Sequence, residues 1–344
     1  MRTIVLRMLA LLIVGGGAYG GWLFFDAKAA WDRPLALGDS GLVFVVERGK
    51  TLRSISKELS MLGVLEQPEY LVWLGRLDKK AGRIKAGEYQ IPNGTTPREL
   101  LKILIRGKVV QYAITFVEGW TFKEMLAAVL ADPHLNHVLE STEPSAIMAA
   151  IGAPNEHPEG RFFPDTYHFP KGTTDLSLLK RAYKTMANRL AREWDKRDKA
   201  LPYANPYDAL IMASIIEKET GLASERSEIS GVFVRRLNRG MRLQTDPTVI
   251  YGLGDTFDGN LRRVHLRQKT PYNTYVIKGL TPTPICLPGQ GAIHAALHPK
   301  EGDAIFFVAK GDGSHHFSAT YDEHKKAVYK YQIAARRARK AATQ

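Results

Sequence analysis

A long apolar run lies near the N-terminus of the chain. Met8 to Phe25 contains eighteen residues without a charge, which is about the length that crosses a bilayer. Arg2 and Arg7 precede the run, whereas the charges after it balance. The positive-inside rule then predicts cytoplasmic residues 1–7, a transmembrane helix at 8–25 and an exported remainder. A cleaved signal peptide is the alternative, since Ala27-Lys28-Ala29 is a weak cleavage site, but the length of the run favours an uncleaved anchor.

After the apolar run, the spacing of apolar residues is typical of strands in some segments and of helices in others. Val43, Val45 and the neighbouring apolar residues predict a strand, and the stretch "YLVWLGRL" is typical of a helix. A second strand and a helix follow, and the helix begins with a capping box of Thr96 and Glu99 around Pro97. The predicted order β-α-α-β-α over residues 41–110 resembles LysM-type glycan-binding modules. A structural spacer is the alternative.

The pattern over the remaining residues, 111–344, predicts a larger domain that contains both helices and strands. A strand, a turn and a helix are expected near 112–130, and mostly helical structure over 140–200. A proline-rich loop interrupts the helical part and carries four aromatic residues: Phe162, Phe163, Tyr167 and Phe169. Exposed aromatic side chains stack on sugars, but a loop packed by its own side chains is the commoner case. The pattern as a whole predicts an α+β protein with a transmembrane helix, a small LysM-like β/α subdomain and a mixed α+β domain.

One helix in the larger domain ends in the unusual stretch "IIEKETG". The periodicity predicts a helix from Asp208 to Thr220, ended by Gly221 as the C′ residue. At about 100° per residue, Glu219 falls within the apolar stripe and Glu217 falls about 160° away from it. Burial disfavours an ionised carboxylate, so we expect a raised pKa at Glu219. A carboxylic acid that keeps its proton near neutral pH is what a general acid requires.

A salt bridge is the alternative role for Glu219, and the arginines nearest in sequence are the partners to consider: Arg226, Arg235 and Arg236. Polar residues after the helix are candidates for binding a substrate: Gln244, Asp246, Thr248, Tyr272, Asn273 and Tyr275. They stand among Pro- and Gly-rich segments that build clefts, and they suit hydrogen bonds to sugar hydroxyl or acetamido groups. Turn formation is the alternative for Asp246-Pro247 and Asn273.

The charge and composition of the chain limit the classes of molecule that it could bind. The net charge of +13 suits anionic lipid, nucleic acid or an acidic polymer, and the exported topology argues against nucleic acid. We interpret the basic cluster Arg336, Arg337, Arg339 and Lys340 as a solvated helix end. A single cysteine, Cys286, excludes an internal disulfide framework. His294 and His298 have i,i+4 spacing without a glutamate between them, which is more typical of a packed helix than of a metal site, so no metal or other cofactor is expected.

Several longer motifs carry a family resemblance: "ASIIEKET", "GMRLQTDPTVIYG", "PYNTY", "GLTPTP" and "EGRFFPDT". They resemble the MltG (YceG-like) family, the membrane-anchored endolytic lytic transglycosylases of bacteria, over nearly the whole chain. By motif position the resemblance implies that Glu219 is the catalytic residue and that Thr220 corresponds to the residue after the glutamate in other lytic transglycosylases. In "GSHHFSATYDEH" the chain departs from the family pattern, because Ser314 precedes His315. We assign these histidines no role.

The resemblance implies an activity and a location. The expected reaction cleaves MurNAc–GlcNAc β-1,4 bonds inside peptidoglycan strands and leaves 1,6-anhydroMurNAc ends, with one glutamate as acid and then base. The expected location is the bacterial inner (cytoplasmic) membrane, with a single-pass anchor and the catalytic domain in the periplasm. Peptidoglycan glycan strands and cell-wall synthases are the implied partners. A membrane-anchored scaffold that binds peptidoglycan without catalysis is the alternative.

Overall fold

A computed structural model describes residues 2–334 of the chain. Met1 and the basic cluster at 336–340 lie outside the described residues. Helix α1 spans Arg2–Trp31 and is therefore longer than the segment predicted at 8–25. It is long and apolar enough to cross a membrane between Leu6 and Trp31, although a signal sequence meets the same criterion. The mixed α+β class predicted from the sequence is confirmed by the elements that follow.

The chain divides into two compact units, and the first contains the N-terminal residues up to Tyr112 together with His168–Gly172. After α1 its elements are β1 (Leu42–Val46), α2 (Leu52–Met61), α3 (Pro68–Leu77), β2 (Gly87–Ile91) and α4 (Pro97–Arg106). Strands β1 and β2 are antiparallel, with Leu42 opposite Ile91. The predicted capping box at α4 is present, because Thr96 and Glu99 each bond the other's backbone N–H. The β-α-α-β-α order is as predicted, and the LysM-like character of this unit stays a prediction.

The last turn of α1 belongs to the core of this first unit. Ala27 and Trp31 are buried among residues of α2, α3 and α4. The indole Nε1 of Trp31 donates to the backbone oxygen of Tyr70 at 2.7 Å, and the Tyr70 hydroxyl donates to Asp26 at 2.7 Å. The apolar residues nearer the N-terminus are exposed, for example Leu12 at 73%. One end of α1 is thus anchored in folded protein, and the other presents an unpacked apolar surface.

The second unit contains Ala113–Tyr167 and the residues from Thr173 onward. Its helices and strands are α5 (Phe122–Ala131), α6 (Pro144–Ile151), α7 (Asp175–Asp195), α8 (Pro206–Glu219), α9 (Arg226–Asn238), α10 (Asp246–Leu253), α11 (Gln290–Leu297), β5 (Phe306–Ala309), β6 (His315–Ser318) and α12 (Tyr321–Val328). A short π-helical segment, Tyr329–Ala334, follows α12. Strands β3 (Gln111–Thr115) and β4 (Thr166–Pro170) pair with each other, and each contains a boundary between the two units.

Helix α8 forms the centre of the second unit. Its residues from Ala209 to Ile216 are all buried, and they pack with α7, α9 and α11. The expectation of a single apolar stripe was therefore wrong, since Leu210 and Ser214, which lie on the Glu217 side of the helix wheel, are as buried as Ile215. The helix begins at Pro206, with the side chain of Asn205 accepting from two backbone N–H groups. Neighbouring helices surround α8, so periodicity could not separate an inner face from an outer one.

The end of α8 also differs from the prediction. Its last helical residue is Glu219, and Thr220 follows in an extended conformation with φ −142° and ψ 134°. Gly221 therefore does not act as the left-handed C′ residue that was predicted, because the chain has already left the helix through Thr220. The helix therefore ends at Glu219 and leaves this side chain at the helix terminus.

The proline-rich loop is packed by its own aromatic side chains. Phe162, Phe163, Tyr167 and Phe169 are all buried. The loop also contains strand β4, which the sequence pattern did not indicate. These rings are therefore unavailable for stacking on a sugar, and the packed-loop alternative holds.

Candidate active site

The Glu219 carboxyl group opens into a cleft of about 420 Å³ in the second unit. The end of α8, the start of α10, the β5–β6 hairpin and α12 contribute its walls. The hairpin is antiparallel, with Phe307 opposite Phe317 and Ala309 opposite His315. The lining combines carboxylates, hydroxyl and amide groups, imidazoles and aromatic rings, which is the mixture that suits a polar ligand with apolar faces such as a sugar.

A neutral hydroxyl group holds the Glu219 carboxyl. Thr245 Oγ1 donates a hydrogen bond to Glu219 Oε2 over 2.6 Å. Thr245 is itself fixed, because its backbone N–H donates to Thr274 Oγ1 and its carbonyl accepts from Thr248 Oγ1. The carboxyl group is thereby oriented by a partner that carries no charge.

The salt bridge considered for Glu219 is not formed by any described residue. Arg226 pairs with Glu217, its Nη2 lying 3.0 Å from Oε1. Arg235 donates to the backbone oxygens of Ala304 and Lys300. Each of these two guanidinium groups is thus committed elsewhere.

Arg236 lines the cleft but is also committed to backbone. Its Nε donates to the Ile305 oxygen at 2.7 Å and its Nη1 to the Leu243 oxygen at 2.6 Å. Burial lowers the pKa of this guanidinium group. Arg236 therefore acts on Glu219 through space and not through an ion pair.

The surroundings of Glu219 raise its pKa, in the direction predicted from the sequence. Burial is the largest cause, because it penalises the ionised form. The hydrogen bond from Thr245 opposes this effect, the negative charge of Asp246 adds to it, and His315 and Arg236 oppose it. The net result is a carboxyl group that retains its proton to a higher pH than a solvated glutamate does.

Glu217, two residues earlier, is in a different situation. Its side chain is only 6% exposed, and besides Arg226 it accepts from the backbone N–H of Gly289 at 2.8 Å. Burial raises the pKa of Glu217, while the Gly289 N–H and Arg226 lower it. Unlike Glu219, it does not line the cleft. Its contacts are those of a structural ion pair between α8 and α9.

Three of the predicted substrate-binding residues line the cleft with Glu219: Gln244, Asp246 and Tyr275. The Tyr275 hydroxyl donates to Asp246 Oδ1 at 2.6 Å. Gln244 adopts φ 51°, which is uncommon for a residue with a side chain, and its N–H donates to the Thr274 oxygen at 3.1 Å. A non-glycine residue in this region costs about 1–3 kcal/mol and occurs mainly at functional sites.

Sequence comparison places the chain among known proteins. The sequence model of the YceG-like family matches residues 44–330. The chain belongs to the YceG-like family. The resemblance indicated by the sequence motifs is thereby confirmed.

Two relatives of the chain are named for an enzymatic activity. A Bacillus subtilis (strain 168) protein named endolytic murein transglycosylase is 33% identical over 270 residues, which cover 74% of each chain. A Streptococcus pneumoniae (strain D39) protein of the same name is 25% identical over 360 residues, covering 94% of this chain and 63% of the relative. A 2.6 Å crystal structure of a yceG-like protein from Listeria monocytogenes aligns with a TM-score of 0.52 and 28% identity, covering 84% of this chain and 99% of that one.

The other predicted site residues of this YceG-like chain lie outside the cleft lining. Thr220, Thr248 and Asn273 are buried. Thr220 Oγ1 accepts from the Leu222 N–H, and Thr248 bonds within the Thr245 network. Their contacts are with the protein's own backbone and hydroxyl groups, so they support the cleft from behind.

Asn273 and Tyr272 also lie outside the cleft lining, and one of them positions a residue that lines it. Asn273 donates to two backbone oxygens and accepts from the Tyr275 N–H at 3.0 Å. Tyr272 bonds Thr283 through its hydroxyl and packs edge-on against Tyr251, with ring centroids 5.0 Å apart. Asn273 therefore orients Tyr275, and Tyr272 packs the loop that carries both.

Sequence reasoning assigned no role to four polar residues that line the cleft: His315, Tyr321, His324 and Gln332. Glu225 holds His315 twice: Oε1 accepts from the His315 N–H at 2.9 Å, and Oε2 lies 2.7 Å from Nδ1. The motif "GSHHF" was the available signal. Because the hairpin joins α8 only through folding, the spacing along the chain could not reveal that His315 and Glu219 share a cleft.

Proposed function

We propose that this chain is an endolytic murein transglycosylase that cleaves the MurNAc–GlcNAc β-1,4 bond within peptidoglycan strands. The observation that carries the proposal is the state of Glu219. It is a carboxyl group at the wall of a cleft, with a raised pKa, a hydroxyl donor at 2.6 Å and no ion pair among the described residues. Relatives named for this activity support the assignment.

In the proposed mechanism one carboxyl group performs both proton transfers. Glu219 donates its proton to the glycosidic oxygen as the bond from that oxygen to MurNAc C1 breaks. The resulting carboxylate then accepts the proton of the MurNAc C6 hydroxyl, whose oxygen bonds to C1 and closes the 1,6-anhydro ring. No water enters, and Glu219 ends protonated as it began. The raised pKa suits the first step, and Thr245 stabilises the carboxylate between the steps.

The developing positive charge at the sugar requires a stabilising partner. Asp246 lies in the same cleft, and Tyr275 fixes its carboxylate by a hydrogen bond at 2.6 Å. In the proposed mechanism this carboxylate stabilises the oxocarbenium-like transition state by electrostatic attraction. Gln244 and Tyr275 are the proposed hydrogen-bonding partners of the sugar hydroxyl and acetamido groups.

Analysis of the products tests the reaction. The full chain is incubated with purified glycan strands, and the ends of the products are identified by mass spectrometry. We expect 1,6-anhydroMurNAc ends on fragments of many lengths, as internal cleavage requires. Reducing MurNAc ends would instead indicate hydrolysis, with Asp246 as the second carboxylate that an ordinary glycosidase needs. Release of disaccharides from strand ends only would contradict the endolytic assignment.

For the location we propose an uncleaved single-pass anchor in the cytoplasmic membrane, with the two units outside the cytoplasm. The packing of Ala27 and Trp31 into the first unit supports this, because cleavage after Ala29 would remove Ala27 and the Asp26 contact from a folded core. The intact mass of the protein extracted from membranes tests it. A mass that lacks the first 29 residues would contradict the anchor. The partnership with cell-wall synthases stays a prediction from the family resemblance.

A non-catalytic scaffold is distinguished by a genetic experiment. A Glu219→Gln chain expressed in a strain lacking the gene should fail to restore normal glycan strand length. Full rescue would favour the scaffold and a glycan-binding role for the β-α-α-β-α unit. The burial of Glu219 and the lack of an ion-pair partner among the described residues favour catalysis, since a scaffold has no need of a carboxyl group kept from ion pairing.

A further inference from the structure

A cluster of three potential metal ligands lies in the second unit, outside the cleft lining. Glu193 near the end of α7, His294 on α11 and His298 just after α11 each offer one ligand atom, and these atoms all lie within 4.8 Å of one another. His294 Nδ1 is 3.0 Å from Glu193 Oε2, and the two imidazole rings have centroids 4.4 Å apart. We propose that Glu193, His294 and His298 bind a divalent first-row transition metal ion, with zinc as the probe.

The chemistry of the three ligands suits zinc. Two imidazoles and one carboxylate form a ligand set found in zinc sites that keep a fourth position for water. In a tetrahedral site with bonds of about 2.0–2.1 Å the ligand atoms stand about 3.3 Å apart. His294 Nδ1 and Glu193 Oε2, at 3.0 Å, are already near that spacing, and the ligand atoms of the cluster are nowhere more than 4.8 Å apart. Magnesium and calcium prefer oxygen ligands and should not compete.

Outer partners already orient two of the ligands. Gln290 Nε2 donates to Glu193 Oε1 at 3.0 Å, which leaves Oε2 directed toward His294. Asp198 Oδ1 lies 3.4 Å from His298 Nδ1, so the other ring nitrogen of His298 is the one available to a metal. Carboxylate and amide groups in these positions are the outer shell that metal-binding histidines and carboxylates ordinarily have.

The cluster is accessible and joins two helices. The side chains of Glu193 and His298 are 16% and 25% exposed, and that of His294 is 57% exposed. An ion can therefore enter from solvent without opening the fold. A bound ion would connect α7 to α11, and α11 packs directly against α8. The inferred role is stabilisation of the helices behind the cleft.

No metal site was expected from the sequence, because the helix with His294 and His298 contains only two ligands. His294 and His298 have no glutamate between them, and the third ligand lies 101 residues before His294. A helical metal motif takes its ligands from neighbouring turns of one helix, whereas this carboxylate stands on a different helix. Folding brings α7 beside α11 and supplies the missing carboxylate.

Isothermal titration of the full chain with ZnCl₂ tests the site, using protein without an affinity tag in a non-ionic detergent. We expect a stoichiometry near one, no heat of binding with MgCl₂, and an affinity at least about 10-fold lower for His294→Ala, since even an outer partner of a metal ligand is worth that much. The matched control is His137→Ala. His137 also lies beside a carboxylate, 3.5 Å from Asp175, but belongs to no three-ligand group among residues 2–334.

Thermal unfolding gives a second readout that does not depend on activity. Zinc at 100 times its Kd should raise Tm by an amount on the order of 5 °C in the unmodified chain and in His137→Ala. His294→Ala should lose this rise while keeping the metal-free Tm, because its side chain is mostly exposed. Glu193→Gln should also lose it. Zinc uptake that is absent, or equal in His294→Ala, or abolished by His137→Ala, would overturn the proposal.

Discussion

Replacing each of the two glutamates of α8 by glutamine should separate catalysis from folding. In Glu219→Gln the only group proposed to transfer protons is lost. General acid–base catalysis contributes about 10²–10⁴-fold, and here one carboxyl group acts in both steps. We therefore expect activity on glycan strands to fall by at least about 10³-fold. Glu217 cannot substitute for it, because Arg226 and the Gly289 N–H hold that carboxylate outside the cleft.

The same substitution should not weaken the fold at neutral pH. Because burial raises the pKa of Glu219, its stabilising contribution is complete below the ordinary value near 4.5 and is lost as pH rises through the folded-state pKa. Glutamine is neutral at every pH and avoids this loss. The Glu219→Gln protein should therefore unfold at the same or a higher Tm than the unmodified chain near neutral pH. The difference should shrink toward pH 4.5.

Glu217→Gln should show the opposite pattern. It removes a charged hydrogen bond of 3.0 Å to Arg226 from a side chain that is 6% exposed. The loss of such a bond costs about 1.5–3 kcal/mol, which lowers Tm by about 3–12 °C in a unit of this size. Arg226 keeps a weaker partner, Glu118 at 3.7 Å. Burial also raises the pKa of Glu217, so a neutral glutamine avoids part of the cost of ionisation. Both effects favour the lower part of that range.

Calorimetry and the glycan-strand assay on the same preparations decide between the two glutamates. We expect an inactive, stable Glu219→Gln protein and an active, less stable Glu217→Gln protein. If Glu217→Gln were inactive with an unchanged Tm, while Glu219→Gln remained active, the wrong carboxyl group would have been chosen. A large loss of Tm in Glu219→Gln would refute the inference that its ionisation destabilises the fold.

Three further substitutions are testable by pH dependence. Thr245→Val removes the donor that favours ionised Glu219, so the alkaline limb of the pH–rate profile should move to higher pH; an unmoved limb would exclude Glu219 as the acid. Asp246→Asn removes a negative charge that raises the same pKa, so the limb should move to lower pH. Burial raises the pKa of Glu159 to about 7, although hydrogen bonds from Tyr251 and from a backbone N–H act to lower it. Stability should thus fall by about 3 kcal/mol between pH 4.5 and 7, and Glu159→Gln should flatten that fall in calorimetric scans; an unchanged slope would contradict the burial argument.

Local signals in the sequence predicted most of the individual elements. The capping box at Thr96 and Glu99 fixed the start of α4, and the apolar run around Val43 and Val45 indicated β1. Such signals depend on residues a few positions apart, so the sequence alone shows all the residues that take part. Asp246-Pro247 was considered as a turn and instead begins α10, because proline suits the first helical positions as well as it suits turns.

The composition of the cleft could not be predicted in the same way. His315 reaches it through the pairing of β5 with β6 and through Glu225, 90 residues earlier. Conversely, Thr248 and Asn273 stand in polar stretches typical of binding loops but are buried in the network behind the cleft. Polarity in a loop predicts hydrogen bonding, and only the fold decides whether the partner is a ligand or the protein's own backbone.

The choice between Glu217 and Glu219 shows where periodicity stops being sufficient. The helix wheel selected Glu219 as the side chain facing the core, yet α8 is surrounded by protein and both glutamates have raised pKa values. Their partners make the difference. Glu217 faces a guanidinium group that favours its ionised form, whereas Glu219 faces a hydroxyl group, and the nearby Arg236 is held by two backbone oxygens. A buried carboxyl group can deliver a proton near neutral pH only if no cation neutralises it, so the placement of the arginines is as necessary to the proposed chemistry as the glutamate itself.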